Sequence, residues 1–275
     1  MSDSLADLHP LDTATLLTPG PDGTLTGRTS PAYANMVGPF GGTTAALLLR
    51  AALEHDRRVG EPVALTVNFC AAIADGEFAV IVREIRSGRS VQHLYVELRQ
   101  GETIAANATV VCAVRSPTWA HQSAVMPAVP PADALPILTG KPPLAWLSRY
   151  DFRYTERPPF IPGAAHAEPQ SARSVLWVAD NPPRPLDYLS LAAICDVFIV
   201  RIFQVRGTRT PAGTVSITSY FHAISEELAA QGTRPVLAKA DSMRFGGQFF
   251  DQQGEIWSDS GKLLASTTQV VWFRD

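Results

Sequence analysis

The sequence predicts an α+β fold made of two similar units, each a curved antiparallel sheet wrapped around one central helix. Three observations predict it. A proline-rich stretch divides the chain near its middle, alternating strand patterns recur on either side of it, and each half carries one strongly apolar helix ahead of its strands.

The break runs from Ser116 to Pro143, where Pro127, Pro130, Pro131, Pro136, Pro142 and Pro143 exclude a continued helix or a central strand. It gives an N-terminal unit over 1–115, a linker over 116–143 and a C-terminal unit over 144–275, both units of ordinary domain size. In the first unit Gly41-Gly42 opens a helix over Thr43 to His55, rich in alanine and leucine. In the second, Pro185 precedes a helix expected to run from Leu186 to Gln204. Both helices are apolar nearly all round, so each must be wrapped rather than laid on a surface. The strands repeat: Val63 to Phe69 and Thr214 to Phe221 alternate with period two, and Gly101-Glu-Thr-Ile-Ala105 before Val110-Val111 is answered by Gly261-Lys-Leu-Leu-Ala265 before Val270-Val271. Two such units can pair edge to edge, and the edges they leave imply self-association into homodimers or larger assemblies.

With 46% hydrophobic and 18% charged residues and a formal net charge of -3, the chain has neither the basic patches that recruit nucleic acid nor those that hold an anionic membrane. A small-molecule partner fits better. The acidic start, Met1 to Asp7, lacks the features of a secretory signal, so a cytoplasmic location is expected. Cys70, Cys112 and Cys195 are an odd set without Cys-x-x-Cys spacing and read as reduced core cysteines. The histidines are dispersed, and no metal or cofactor is called for.

Asp196 stands out on its own. It lies between Leu191-Ala-Ala-Ile-Cys195 and Val197-Phe-Ile-Val200, where an ionised carboxylate is costly unless donors meet it, and such groups cluster at functional sites. The bland alternative is a polar helix edge facing solvent or Arg201. No Gly-x-Ser-x-Gly elbow, phosphate loop or dinucleotide fingerprint is present, because Gly88-Arg89-Ser90 continues with Val91-Gln92.

Around that aspartate the sequence resembles the acyl-CoA thioesterase II family, whose members are double hotdogs. Ile194-Cys195-Asp196 resembles its Asp-bearing helix, Gly213-Thr214-Val215-Ser216 its Thr-bearing strand, and Ala265-Ser-Thr-Thr-Gln269 its Gln-bearing strand. The resemblance implies cofactor-free hydrolysis of an acyl-CoA, in which Asp196 takes a proton from water while Thr214 and Gln269 orient that water. Gly41 and Gly42 match the family's glycine pair at a helix start, whose N–H groups can face a carbonyl oxygen, and Arg86-Ser87-Gly88-Arg89-Ser90 resembles the turn that meets the CoA portion. The chain departs at Thr43, where the family often has Gln, and at Ala71-Ala72-Ile73-Ala74, where it often has Arg-Pro-Gly. Two other readings stand beside hydrolysis: a non-catalytic acyl-CoA binding protein and a hotdog enoyl-CoA hydratase. The hydratase expects a histidine after the helix aspartate, which this helix does not have.

Overall fold

The computed structural model describes residues 8–156 and 166–274. A short helix α1 (Pro10–Ala14) precedes strands β1 (Thr18–Pro19) and β2 (Leu25–Arg28), helix α2 (Gly41–Leu53) and strands β3 (Glu61–Phe69), β4 (Glu77–Ser87), β5 (Val91–Gln100) and β6 (Thr103–Ala113). The proline-rich stretch then crosses with only short 3₁₀ turns at Ala132–Ala134 and Ala145–Arg149. After it come β7 (Tyr150–Tyr154), β8 (Ser174–Asp180), α3 (Tyr188–Ile194), α4 (Arg201–Arg206), β9 (Ala212–Phe221), α5 (Ser225–Gln231), β10 (Val236–Asp241), β11 (Phe245–Gly246), β12 (Phe249–Trp257) and β13 (Leu263–Phe273).

Every strand pairing is antiparallel, and the strands form one sheet in the order β1-β2-β4-β5-β6-β3-β9-β13-β12-β10-β8-β7, with β11 on β12. Outward from the β3–β9 junction both sides repeat the same sequence of strands, so β3 answers β9 and β6 answers β13. The repeated patterns read from the sequence fall on those two pairs. At the junction Thr66 lies opposite Thr218, with their hydroxyls 3.0 Å apart. The inner face of the sheet curls over α2 and α3, which pack on each other, with α2 also packed on β3 to β6, in one continuous core.

Gly42 is needed at the helix contact, since a Cβ there would run into the Ala193 carbonyl and the Phe40 ring. The helix expected over Leu186 to Gln204 is split: α3 ends at Ile194, residues 195–200 are irregular, and α4 begins at Arg201. Three hydrogen bonds stabilise the break. Asp196 and Val197 fold back onto Ala193 and Ile194 carbonyls at 3.1 and 3.2 Å, and the fully buried Arg201 donates from Nε to the Ile199 carbonyl at 2.8 Å. β-Branched Val197, Ile199 and Val200 have little helix preference to resist this. Cys112 and Cys195 are buried thiols, whereas Cys70 is exposed, against expectation, because it follows β3 where the chain leaves the sheet. No helix among the described residues is long and apolar enough to cross a membrane.

Candidate active site

α2 and α3 run antiparallel, so the N-terminal turn of α2 meets the end of α3 and the residues that follow it. Asp196 stands there. A Cβ added at Gly41 would come 2.7 Å from Asp196 Oδ2, so glycine is what allows the helix start to approach the carboxylate so closely. Gln269 Nε2 donates to Asp196 Oδ1 at 2.9 Å, and Thr214 Oγ1 donates to Gln269 Oε1 at 3.3 Å. The three polar residues read from the sequence are therefore one hydrogen-bonded chain, and they converge on the glycine pair.

A strand irregularity brings Thr214 into this chain. Ile217, Ser219 and Phe221 face the interior of β9, and strict alternation would continue that row with Val215. The pairing with β13 shifts instead: Val270 lies opposite Ser216 and Val271 opposite Thr214, so Val215 is an extra, bulged residue. The bulge turns Thr214 inward and leaves Val215 exposed. Gln269 needs no such device, because Thr267, Gln269, Val271 and Phe273 form the regular inward row of β13.

Burial pushes the Asp196 carboxyl up to about 7, while the hydrogen bond from Gln269 and the Gly42 backbone N–H favour the ionised form and limit the rise. The carboxylate keeps a small exposure on the side of a cavity of ≈ 190 Å³. The walls of that cavity include Phe40, Trp146, Phe198, Phe203 and Val271, with Asp196, Thr214 and Gln269 on its polar side. Phe40 and Trp146 stack with centroids 4.2 Å apart, and the Trp146 indole N–H donates to Asn35 Oδ1 at 3.3 Å, which fixes that wall. Thr43 and Thr44 N–H donate to the Phe40 carbonyl at 3.1 and 3.2 Å, which leaves Gly41 and Gly42 as the first-turn N–H groups without an intrahelical acceptor.

The turn Arg86-Ser87-Gly88-Arg89-Ser90 is not brought to this site. It closes the β4–β5 hairpin with its arginines exposed, and Gln92 beside it donates to the Arg57 carbonyl and accepts from Val59 N–H, just beyond the C-terminus of α2. Asp196 is at the other end of α2, roughly 20 Å away for a 13-residue helix. The cationic side chain that does line the cavity is Arg209, in the segment leading into β9. Sequence reasoning also passed over Gln252, which is 3% exposed and lines the cavity from β12. Its signal was parity, since Phe250, Gln252, Gly254 and Ile256 form the buried row of that strand.

The profile of the acyl-CoA thioesterase N-terminal domain matches residues 13–113, and that of the acyl-CoA thioesterase C-terminal domain matches residues 120–273. Among solved structures, a conserved protein of unknown function with a hotdog fold from Alicyclobacillus acidocaldarius is 40% identical over 98% of this chain and 99% of its own, with a TM-score of 0.91. An acyl-CoA thioesterase II from Mycobacterium marinum shares the fold at 20% identity over 96% and 98% of the two chains, with a TM-score of 0.74. The dehydratase domain of RzxB from Pseudomonas fluorescens shares it at 11% identity, 97% and 99% coverage and a TM-score of 0.54, so the fold by itself does not select the reaction. No curated protein matches the chain. By its two domain matches, which together span nearly all of its length, the chain belongs to the acyl-CoA thioesterase family and has its hotdog fold.

Proposed function

We propose that the chain hydrolyses the thioester of an acyl-CoA to the free acid and CoA, with water as the nucleophile and Asp196 as the base. The observation that carries this reading is a half-buried carboxylate held by Gln269, itself held by Thr214, beside the N-terminal turn of α2 at the polar side of an apolar cavity, where burial pushes its pKa up toward neutrality. A base whose pKa lies near the working pH combines a usable ionised fraction with a strong pull on the proton. Thr214 and Gln269 keep the carboxylate and the attacking water in line. As water adds to the thioester carbon, its proton passes to Asp196 and the carbonyl oxygen takes up negative charge opposite the Gly41 N–H at the start of α2, the Gly42 N–H being engaged by Asp196. Collapse of this adduct breaks the carbon–sulfur bond, and the proton on Asp196 goes to the departing thiolate.

Asp196→Asn is expected to lower kcat on the best acyl-CoA by about 10²- to 10⁴-fold with little change in substrate affinity. Thr214→Val and Gln269→Ala should each lower kcat, and each should add little on top of Asp196→Asn, because groups that act on one water act as a unit. Wild-type turnover in Asp196→Asn would leave the acyl-CoA binding protein standing instead. We also infer that copies of the chain associate, since Tyr220, Phe249 and Val270 present apolar surface on the outer side of adjoining strands. Light scattering that finds only monomer at micromolar concentration would sink that inference. A division of the chain into 1–115 and 144–275 about its proline-rich linker completes the proposal, with the catalytic set in the second unit.

A further inference from the structure

Gln252 is 3% exposed and lines the cavity, yet among the described residues its side chain makes no hydrogen bond. The other polar groups around it are engaged: Gln269 bridges Thr214 and Asp196, and Asn35 accepts from Trp146. A primary amide brings two donors and an acceptor oxygen, and here they open on the cavity instead of being sealed in the core. Leucine or methionine would fill the same volume if apolar contact alone were needed. A substrate that fills the cavity displaces water from this amide, and a polar group carried by the substrate would replace those hydrogen bonds.

Register says where that group would lie. Gln252 is directly opposite Gln269 across β12 and β13, and both side chains face the cavity. One strand spacing, about 4.8 Å, separates it from the residue that holds Asp196. Phe198 flanks it, because a Cβ at the neighbouring inward position, Gly254, would touch the Phe198 ring at 2.9 Å. Gln252 thus lies one strand from the Gln269–Asp196 pair and beside the apolar wall at Phe198, a separation that a few carbon–carbon bonds of an acyl group would span.

We propose that Gln252 recognises a hydroxyl or keto oxygen carried two or three bonds along the acyl group, so that the preferred substrate is an acyl thioester oxygenated near its carbonyl rather than a plain fatty chain. This rests on the hydrolase reading for its chemistry, but its geometry is independent of which group acts as the base. The test compares butanoyl-CoA with 3-hydroxybutanoyl-CoA (both enantiomers) and 3-oxobutanoyl-CoA. One hydrogen bond to a buried amide is expected to raise kcat/KM for at least one oxygenated substrate about tenfold over the plain one. Gln252→Met, which keeps the volume and removes the amide, should bring that preference to within about twofold. A wild-type protein with no preference, or a preference that survives Gln252→Met, overturns the assignment. Equal losses on every substrate overturn it too, by placing the amide at the thioester carbonyl. Calorimetry with the matching non-hydrolysable thioethers separates the two readings. If wild type turns over no thioester, hydrolysis fails as a function, while the affinity difference between oxygenated and plain thioethers, and its loss in Gln252→Met, still decides the role of Gln252.

Discussion

Asp196 works between two opposing influences, burial that raises its pKa and donors from Gln269 and Gly42 that restrain it. The consequence for catalysis is a sign. A base must be ionised, so log kcat/KM should rise with slope one below about pH 7 and level off above it. Removing the Gln269 donor takes away a restraint, so Gln269→Ala should move that inflection to higher pH; an unmoved inflection would mean the profile reports another group. Gly41→Ala provides a second test. A helix glycine replaced by alanine ordinarily gains stability, but here the new Cβ would sit 2.7 Å from Asp196 Oδ2 and 3.3 Å from the Phe69 ring. Turnover should fall while the melting temperature changes little, and full activity would show that the carboxylate has room to move. Asp196 was legible in the sequence because its apolar neighbours made it anomalous. Gln252 was not, since a glutamine in an alternating strand reads as solvent-facing until the parity of its row is known.

At the scale of elements, the two repeated strand patterns fell on topologically equivalent strands, because period-two alternation is imposed by a buried sheet face and survives in each half. The break after α3 and the bulge in β9 were not legible. The break depends on the buried Arg201, held by the Ala172 carbonyl and the Ser174 hydroxyl from far along the chain as it reaches the Ile199 carbonyl, and the bulge depends on register with β13. That bulge is open to test. Deleting Val215 would remove the extra residue and restore simple alternation with Thr214 still inward opposite Val271, so activity should stay above that of Thr214→Val. Activity as low as that of Thr214→Val would mean that the bulge places Thr214 more closely than an inward-facing position alone does. The β4–β5 hairpin is the contrasting case. Its Arg86, Gly88, Arg89 and Ser90 resemble a CoA-contacting turn in sequence, but sequence could not say at which end of α2 the hairpin closes. With the turn at the far end from Asp196, Arg86→Ala combined with Arg89→Ala should leave kcat/KM for acyl-CoA within about twofold, as removal of exposed charges usually does. A loss confined to CoA thioesters and absent with pantetheine thioesters would restore the turn to the binding site.

Across the whole molecule, duplication gave two antiparallel helices and hence two places where a helix start meets a helix end. One holds Asp196, Gln269 and Thr214. At the other, Arg184 bridges Asp12 of α1 and Asp187, which caps α3, while Arg50 of α2 also reaches Asp12 at 3.2 Å. The two places titrate in opposite senses. Asp12 feels desolvation, but the hydrogen bonds and charge of Arg184 outweigh it and hold its carboxyl low, so its contribution to stability is present above the ordinary carboxylate range and lost as pH falls. Asp196 is raised to about 7 by burial, and Asp180, buried with a hydrogen bond from Ser190, to about 6. A carboxyl raised in the folded state favours folding fully below its unfolded value near 3.8, and that contribution is lost as pH rises through the folded value. Stability should therefore peak on the acid side of neutrality, decline toward pH 7 and level off above it. Asp196→Asn removes one of the two groups behind the decline without changing shape. The melting temperature of this variant relative to wild type should climb between about pH 4 and pH 7 and stay level above pH 8, with a gain of a few kcal/mol at most because the carboxylate still touches the cavity. Thermal melts of the two proteins from pH 4 to pH 9 decide it. A difference that does not vary with pH would mean that Asp196 titrates as an ordinary hydrated carboxylate, and the case for it as a base poised near neutrality would fall with it.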